Sequence, residues 1–212
     1  MKKELINFLK VVMKKIFTII GFGLIITGAS AQEKSPFSYN SIAAGYQSGS
    51  INLSTGTNWN TTGFSFGGTA AINDSMFLGG SLANGTAKRN GVSVDQNAYS
   101  FGLGGHTALS NQTDLVGSTA YISSRASIYG YSYTVTGLGF DLGLRHALTE
   151  KLEINGGVGL TILGSDRTQT SSANIGLRYK LADKFSIGVN YTGSNSDGGT
   201  SQGVMGILRV DL

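Results

Sequence analysis

The chain has 212 residues, of which 32 are glycine, one is proline and none is cysteine. Only 13% of the residues are charged, whereas ordinary soluble domains have ~25%, so a surface fully exposed to water is disfavoured. The absence of cysteine excludes disulfides, thiol chemistry and a lipid anchor on a cleavage-site cysteine.

The net charge of +4 comes from the first part of the chain. Residues 1–31 hold five lysines and one glutamate, so the rest of the chain has 11 basic and 11 acidic residues. A neutral chain without a basic patch is not expected to bind nucleic acid.

The N-terminal region has the three parts of a secretory signal peptide. Met13-Lys14-Lys15 is basic, residues 16–26 are an 11-residue apolar run, and Ala29-Ser30-Ala31 is a cleavage site of small residues. The run is shorter than the ~20 residues of a membrane-spanning helix, so cleavage is favoured over anchoring. We predict a signal peptide at 1–31, starting at Met1 or Met13, and a mature domain at 32–212.

Ten later segments alternate apolar residues with polar or small ones, as strands with one apolar face do. In residues 152–162, even positions are mostly large and apolar and odd positions are polar or glycine. In a membrane barrel the apolar face meets lipid and the other face lines the lumen. The predicted strands are 37–47, 61–72, 76–84, 96–109, 113–123, 132–146, 151–163, 170–181, 184–193 and 201–212.

The predicted connections alternate between short and long. Those at 73–75, 110–112, 147–150 and 182–183 are short, and those at 48–60, 85–95, 124–131, 164–169 and 194–200 are longer and rich in Gly, Ser, Asn and Thr. This alternation is typical of bacterial barrels with short periplasmic turns. The predicted fold is all-β, an up-and-down antiparallel transmembrane β-barrel of about ten strands, with eight as the alternative and both termini in the periplasm.

The alternation also assigns the lipid-facing side chains, and none of them is charged. They are Phe64, Phe66, Ile72, Leu78, Leu82, Tyr99, Phe101, Leu103, Leu109, Leu115, Tyr121, Leu138, Phe140, Leu142, Leu144, Leu152, Ile154, Val158, Leu160, Ile162, Ile175, Leu177, Tyr179, Leu181, Phe185, Ile187, Val189, Tyr191, Val204, Leu208, Val210 and Leu212.

The last strand runs to the final residue, with Val204, Leu208, Val210 and Leu212 on one face. With the opening stretch at 39–46, this closing strand resembles those of the small outer-membrane β-barrel family of Gram-negative bacteria, the OmpA-like and opacity-type barrels. The resemblance implies a place in the outer membrane, contact with its lipid and lipopolysaccharide, and recognition of the C-terminal strand by the barrel-assembly machinery. The family usually ends in an aromatic residue, and this chain does not. We also expect a monomer.

Eight charged residues occupy predicted lumen-facing positions near the periplasmic end. Because unpaired charges are costly in a medium of low dielectric constant, we expect ion pairs between strands, chiefly Arg145 with Glu153, and Arg178 or Arg209 with a carboxylate. The network either fills and stabilises the barrel or gates a narrow pore. Its members are Asp114, Asp141, Arg145, Glu153, Arg178, Lys180, Arg209 and Asp211.

No motif indicates an enzyme. His106 and His146 fall at periplasmic strand ends without partners at metal-ligand spacing. The glycine-rich stretches at 102–105 and 156–159 lie inside strands, where no helix follows to bind a phosphate. We expect no catalytic residue, cofactor or metal.

These observations leave three functional classes. The favoured one is an integral outer-membrane barrel that serves as a structural protein or as a narrow porin-like pore for small solutes. The alternatives are an adhesin or surface-binding barrel that uses its loops, and a secreted soluble β-sandwich.

Overall fold

The computed structural model describes residues 35–164 and 168–212, so the predicted signal peptide lies outside the described residues. Within these ranges the chain forms ten antiparallel strands. Each strand pairs with its neighbours in sequence, and β1 also pairs with β10, which closes the barrel. Closure confirms the ten-stranded barrel, and the β-sandwich alternative is wrong. The strands are β1 (Ser41–Leu53), β2 (Asn58–Ala71), β3 (Met76–Arg89), β4 (Val92–Ser110), β5 (Thr113–Ile128), β6 (Tyr131–Ala147), β7 (Leu152–Leu163), β8 (Thr168–Lys180), β9 (Phe185–Ser196) and β10 (Gly199–Asp211).

The described residues include no helix that is long and apolar enough to span a membrane. Both ends of the described barrel chain, at β1 and β10, lie at the same end as the turns at 72–75 and 111–112. Following the predicted orientation, we call this end the periplasmic end and the opposite one the outer end.

The outward faces carry the apolar belt that the alternation predicts. Phe64 is 65% exposed and Phe101 is 60% exposed, as expected for side chains that meet lipid. Most of the other predicted lipid-facing residues are also exposed. Five are half-buried instead: Leu115, Leu152, Ile154, Ile162 and Val210.

Four of the five predicted long outer connections are wrong, and the fifth, 164–169, lies partly outside the described residues. The strands continue through those four, and the described outer turns at 54–57, 90–91, 129–130 and 197–198 are as short as the periplasmic ones. Two of these turns have positive φ at both central residues, at Asn90-Gly91 and at Tyr129-Gly130. Such type I′ turns fit the twist of a two-residue hairpin. The many Ser, Thr and Asn residues in these stretches therefore belong to strands.

The hydrophobic pattern inverts where the strands pass the belt at the outer end. There the outward positions are polar and exposed, at Asn52, Asn60, Asp95, Asn97, Thr134 and Gln202 among others. We call this part of the wall the outer collar. Its inward positions form the outer apolar cluster: Ile51, Leu53, Trp59, Ala87, Val94, Ala126, Ile128, Val135 and Leu163. Strands of 12–19 residues exceed the ~9–11 that cross a bilayer, so the collar extends beyond the membrane.

The first predicted strand, 37–47, begins too early. The structure starts β1 at Ser41, and residues 35–40 lie outside the ladder. Phe37 and Tyr39 are buried because this segment turns into the periplasmic mouth of the barrel. Alternation cannot separate this arrangement from a strand, since a segment that enters the lumen also alternates buried and exposed side chains.

Candidate functional site

The periplasmic end of the lumen contains a buried ion-pair cluster. Arg145 of β6 donates from Nε to Glu153 Oε1 at 2.7 Å and from Nη2 to Oε2 at 2.8 Å. Arg178 of β8 donates to the same Oε2 atom. The bidentate contact matches the planar fork of a guanidinium to a carboxylate, and Arg145 is only 2% exposed. The predicted pair of Arg145 with Glu153 is present.

A second pair lies on the last strand. Arg209 Nε donates to Asp211 Oδ1 at 2.8 Å. The two residues are two positions apart on β10 and therefore share the lumen face, and both are buried. Among the described residues, the cluster thus combines three guanidinium groups with two carboxylates.

The segment at 35–40 covers this cluster. The Ser38 carbonyl accepts hydrogen bonds from Arg209 Nη2 at 2.7 Å and from Arg145 Nη1 at 3.5 Å. The guanidinium carbon of Arg145 lies 4.3 Å from the ring centre of Phe37 and 4.8 Å from that of Tyr39. Ring faces attract a cation at such distances, so the segment adds neutral partners to Arg145 and Arg209.

Asp114 anchors the same segment from β5. It is fully buried and accepts hydrogen bonds from Ser35 Oγ at 2.7 Å and from the Tyr39 hydroxyl. His106 Nδ1 lies 3.0 Å from Asp114 Oδ2, and the His106 ring is 4.2 Å from the Tyr39 ring. Burial raises the pKa of Tyr39 well above its usual value, so its hydroxyl keeps the proton that it donates.

This arrangement differs from a hydrolytic triad. In a triad the histidine connects the carboxylate to a nucleophile, whereas here Ser35 and Tyr39 contact the carboxylate of Asp114 directly. Among the described residues, no group of three or more His, Cys, Asp or Glu is placed to hold a metal ion. The hydrogen bonds of Asp114 therefore attach residues 35–40 to the barrel wall.

Three of the eight predicted charges lie outside this ion-pair cluster: Asp114, which contacts Ser35 and Tyr39, and Asp141 and Lys180, which line cavities. Asp141 is four residues before Arg145 on β6, which separates their Cα atoms by ~13 Å. It lines a cavity of about 110 Å³ with mixed polar and apolar walls, together with Ser118, Asn155, Asn174 and Asn190. Lys180 lines a cavity of about 230 Å³ at the mouth.

The two histidines have different surroundings and do not contact the same groups. His106 fills the lumen beside Asp114, and His146 Nδ1 pairs with the Thr113 hydroxyl at 2.8 Å across β5 and β6. Sequence reasoning missed the role of residues 35–40 and the outer apolar cluster. The cluster does leave a signal, because Ile51, Leu53 and Trp59 have the opposite parity to the lipid-facing residues of β1 and β2.

The closed wall, the apolar belt and the polar lumen define the class of transmembrane β-barrels. Residues 21–177 match the outer membrane protein beta-barrel domain. The match covers more than half of the chain, which therefore belongs to this family and to the outer membrane. Among curated proteins, no sequence match is found.

Similar solved structures share the architecture at low identity. The translocator domain of autotransporter NalP from Neisseria meningitidis has a TM-score of 0.54 at 14% identity, covering 100% of this chain and 96% of that one. An outer membrane channel from Pseudomonas putida F1 has a TM-score of 0.52 at 8% identity, covering 90% of this chain and 98% of that one. At these identities the likeness shows the fold alone.

Proposed function

We propose that the protein is a structural, non-enzymatic barrel of the outer membrane whose lumen is closed to solutes. The outer apolar cluster carries this proposal. Val94 is 0% exposed and Ile51 is 1% exposed, so side chains pack across the lumen at the outer end. A barrel of about eight strands is just filled by its side chains, and ten strands are close to that limit.

The periplasmic end supports the same function by a different chemistry. There the ion-pair cluster and residues 35–40 fill the lumen with buried charged and aromatic side chains. A solute would have to break the charge-assisted hydrogen bonds of Arg145 and Glu153, the strong kind. The cavities of about 110 and 60 Å³, whose walls include polar side chains, lie between these two closures.

A narrow porin-like pore is the second candidate, favoured by those cavities inside the lumen. The loop-mediated adhesin has less support, because the described outer turns are tight and only the wall of the collar projects. Recording from single barrels in a planar bilayer separates the first two candidates. We expect no conductance steps from the wild type, and stable open steps would favour the pore.

Four further parts of the proposal concern partners and export. The belt contacts outer-membrane lipid and lipopolysaccharide, β10 is the element that the barrel-assembly machinery recognises, and the protein is a monomer. We further propose that the signal peptide at 1–31 exports the chain. The continuous pairing of β10 with β1 supports the second part, since the last strand completes the barrel.

A further inference from the structure

We propose that residues 35–39 are a removable plug. In this view the periplasmic mouth is a binding site for a short peptide segment, and the chain fills the site with its own residues. Release of the segment opens the polar lumen to the periplasm, while the outer apolar cluster keeps the other end shut. The barrel then contains a chamber with one entrance.

Asn40 stays with the wall, because its carbonyl accepts a hydrogen bond from Leu212 N at 2.9 Å and its Oδ1 accepts one from Ala71 N at 2.7 Å. Residues 35–39 are bound without a strand ladder. Their contacts include those of Ser35 and Tyr39 with Asp114, of the Ser38 carbonyl with two arginines, and of two rings with Arg145. None of these contacts closes the barrel, because β1 pairs with β2 and β10 from Ser41 onward. The segment can therefore leave while all ten strands stay paired.

The site for the plug is built by the wall. Asp114, Arg145 and Arg209 lie on β5, β6 and β10. Arg145 is fixed by two hydrogen bonds to Glu153, and Arg209 by one to Asp211. Because these pairs do not involve the plug, the donors that face Ser38 keep their orientation after it leaves. A preorganised site loses little entropy when a segment binds.

Free space lies on both sides of the plug. A cavity of about 230 Å³ separates Pro36 and Phe37 from the turn between β6 and β7, so the segment can move without displacing a strand. On the other side, Arg145, Arg209 and Glu153 line the cavity of about 110 Å³. A space of that size holds several waters. The residues that bind the plug thus form the entrance of the chamber.

Accessibility of a single cysteine tests the proposal, because the chain has none of its own. Asn174 lines the chamber, so Asn174→Cys reports entry of a small charged methanethiosulfonate reagent into folded barrels in detergent. Adding Phe37→Ser and Tyr39→Ser should raise the modification rate by about tenfold or more, equivalent to ~1.4 kcal/mol. The milder Tyr39→Phe removes only the hydroxyl and should raise the rate by about threefold.

The control and the rescue make the result specific. Tyr129→Ser with Tyr131→Ser makes the same chemical change at exposed tyrosines of an outer turn and should leave the rate unchanged. A synthetic peptide of the sequence 35–39 should slow modification of the plug variant again. Equal rates in the plug and control variants, whether fast or slow, would overturn the plug, and a peptide without effect would overturn the binding site. Heat-modifiable gel mobility identifies the variants that fold. If the double variant does not fold, the modification rate of Tyr39→Phe decides the test.

Discussion

Arg145 connects both parts of the periplasmic closure. Its Nε and Nη2 atoms bind Glu153, its Nη1 atom faces the Ser38 carbonyl, and its guanidinium lies against two aromatic rings. A charge buried to this degree is tolerated because every polar edge has a partner. Removing the side chain would leave the Glu153 carboxylate with Arg178 as its remaining ion-pair partner among the described residues.

We therefore expect Arg145→Ala to lower the free energy of unfolding by ~3–5 kcal/mol, the usual loss when one partner of a buried pair is removed. Urea or thermal unfolding in detergent measures this. Arg125→Ala is the matched control, because Arg125 is exposed and bonds to Ser132 at 2.9 Å. It should change stability by ~1 kcal/mol or less. Equal losses from both variants would contradict the structural role of the pair.

The buried Tyr39 hydroxyl predicts that the stability of the folded protein decreases at alkaline pH. Its raised pKa means that the folded protein holds the hydroxyl proton more tightly than the unfolded chain, whose tyrosines titrate near ~10. This stability is complete below pH ~10 and is lost as the pH rises through the folded pKa. Between pH ~9 and ~11.5 the wild-type urea midpoint should fall more steeply than that of Tyr39→Phe. Parallel curves would mean that the buried hydroxyl contributes nothing, and Tyr129→Phe should follow the wild type.

At the scale of the strand, the two faces of β7 differ in what they tolerate. Leu160 is exposed in the apolar belt and the adjacent Thr161 is half-buried on the lumen side. Leu160→Arg should cost ~2–4 kcal/mol, the range for a cation on the lipid face near mid-membrane, whereas Thr161→Arg should cost less. Unfolding in lipid vesicles compares the two. Equal damage would show that the face assignment is wrong.

The strands were predictable from sequence because lipid imposes a strict period of two on the belt. The same rule fails at the ends of strands, where the environment changes. At Ile51 and Trp59 the apolar parity switches to the lumen side, so the stretch between them was predicted to be a loop. The Asn90-Gly91 dipeptide was the missed hairpin signal.

The candidate site was predictable only where strand register alone decides contact. Arg145 and Glu153 lie on adjacent paired strands, with Arg145 opposite Asn155, two residues from Glu153, so parity and proximity were enough. The contacts of Tyr39 with Asp114 join residues 75 positions apart. They depend on a segment that leaves the ladder, and local periodicity holds no information about where such a segment goes.

For the whole molecule, the belt predicts how the mature protein fractionates. With a belt of outward apolar side chains on all ten strands, the chain beginning at Gln32 should pellet with outer membranes and resist extraction by urea or carbonate. Its mobility on a gel should change on heating, because closed barrels migrate as compact species until they unfold. Recovery from the soluble periplasm would contradict the location, and an N-terminus other than Gln32 would contradict the predicted cleavage site.

The lumen is closed at two points in series, so conduction requires both closures to be open. Ions must pass both the outer apolar cluster and the plugged periplasmic mouth, so opening one end leaves the other resistance in place. Phe37→Ser with Tyr39→Ser should not conduct, and neither should Trp59→Ser with Ile51→Ser, which opens the outer cluster alone. The variant with all four changes should show conductance steps in a planar bilayer. Steps from the plug variant alone would mean that the outer cluster does not seal the barrel, and a silent fourfold variant in folded form would place a further barrier between the two ends.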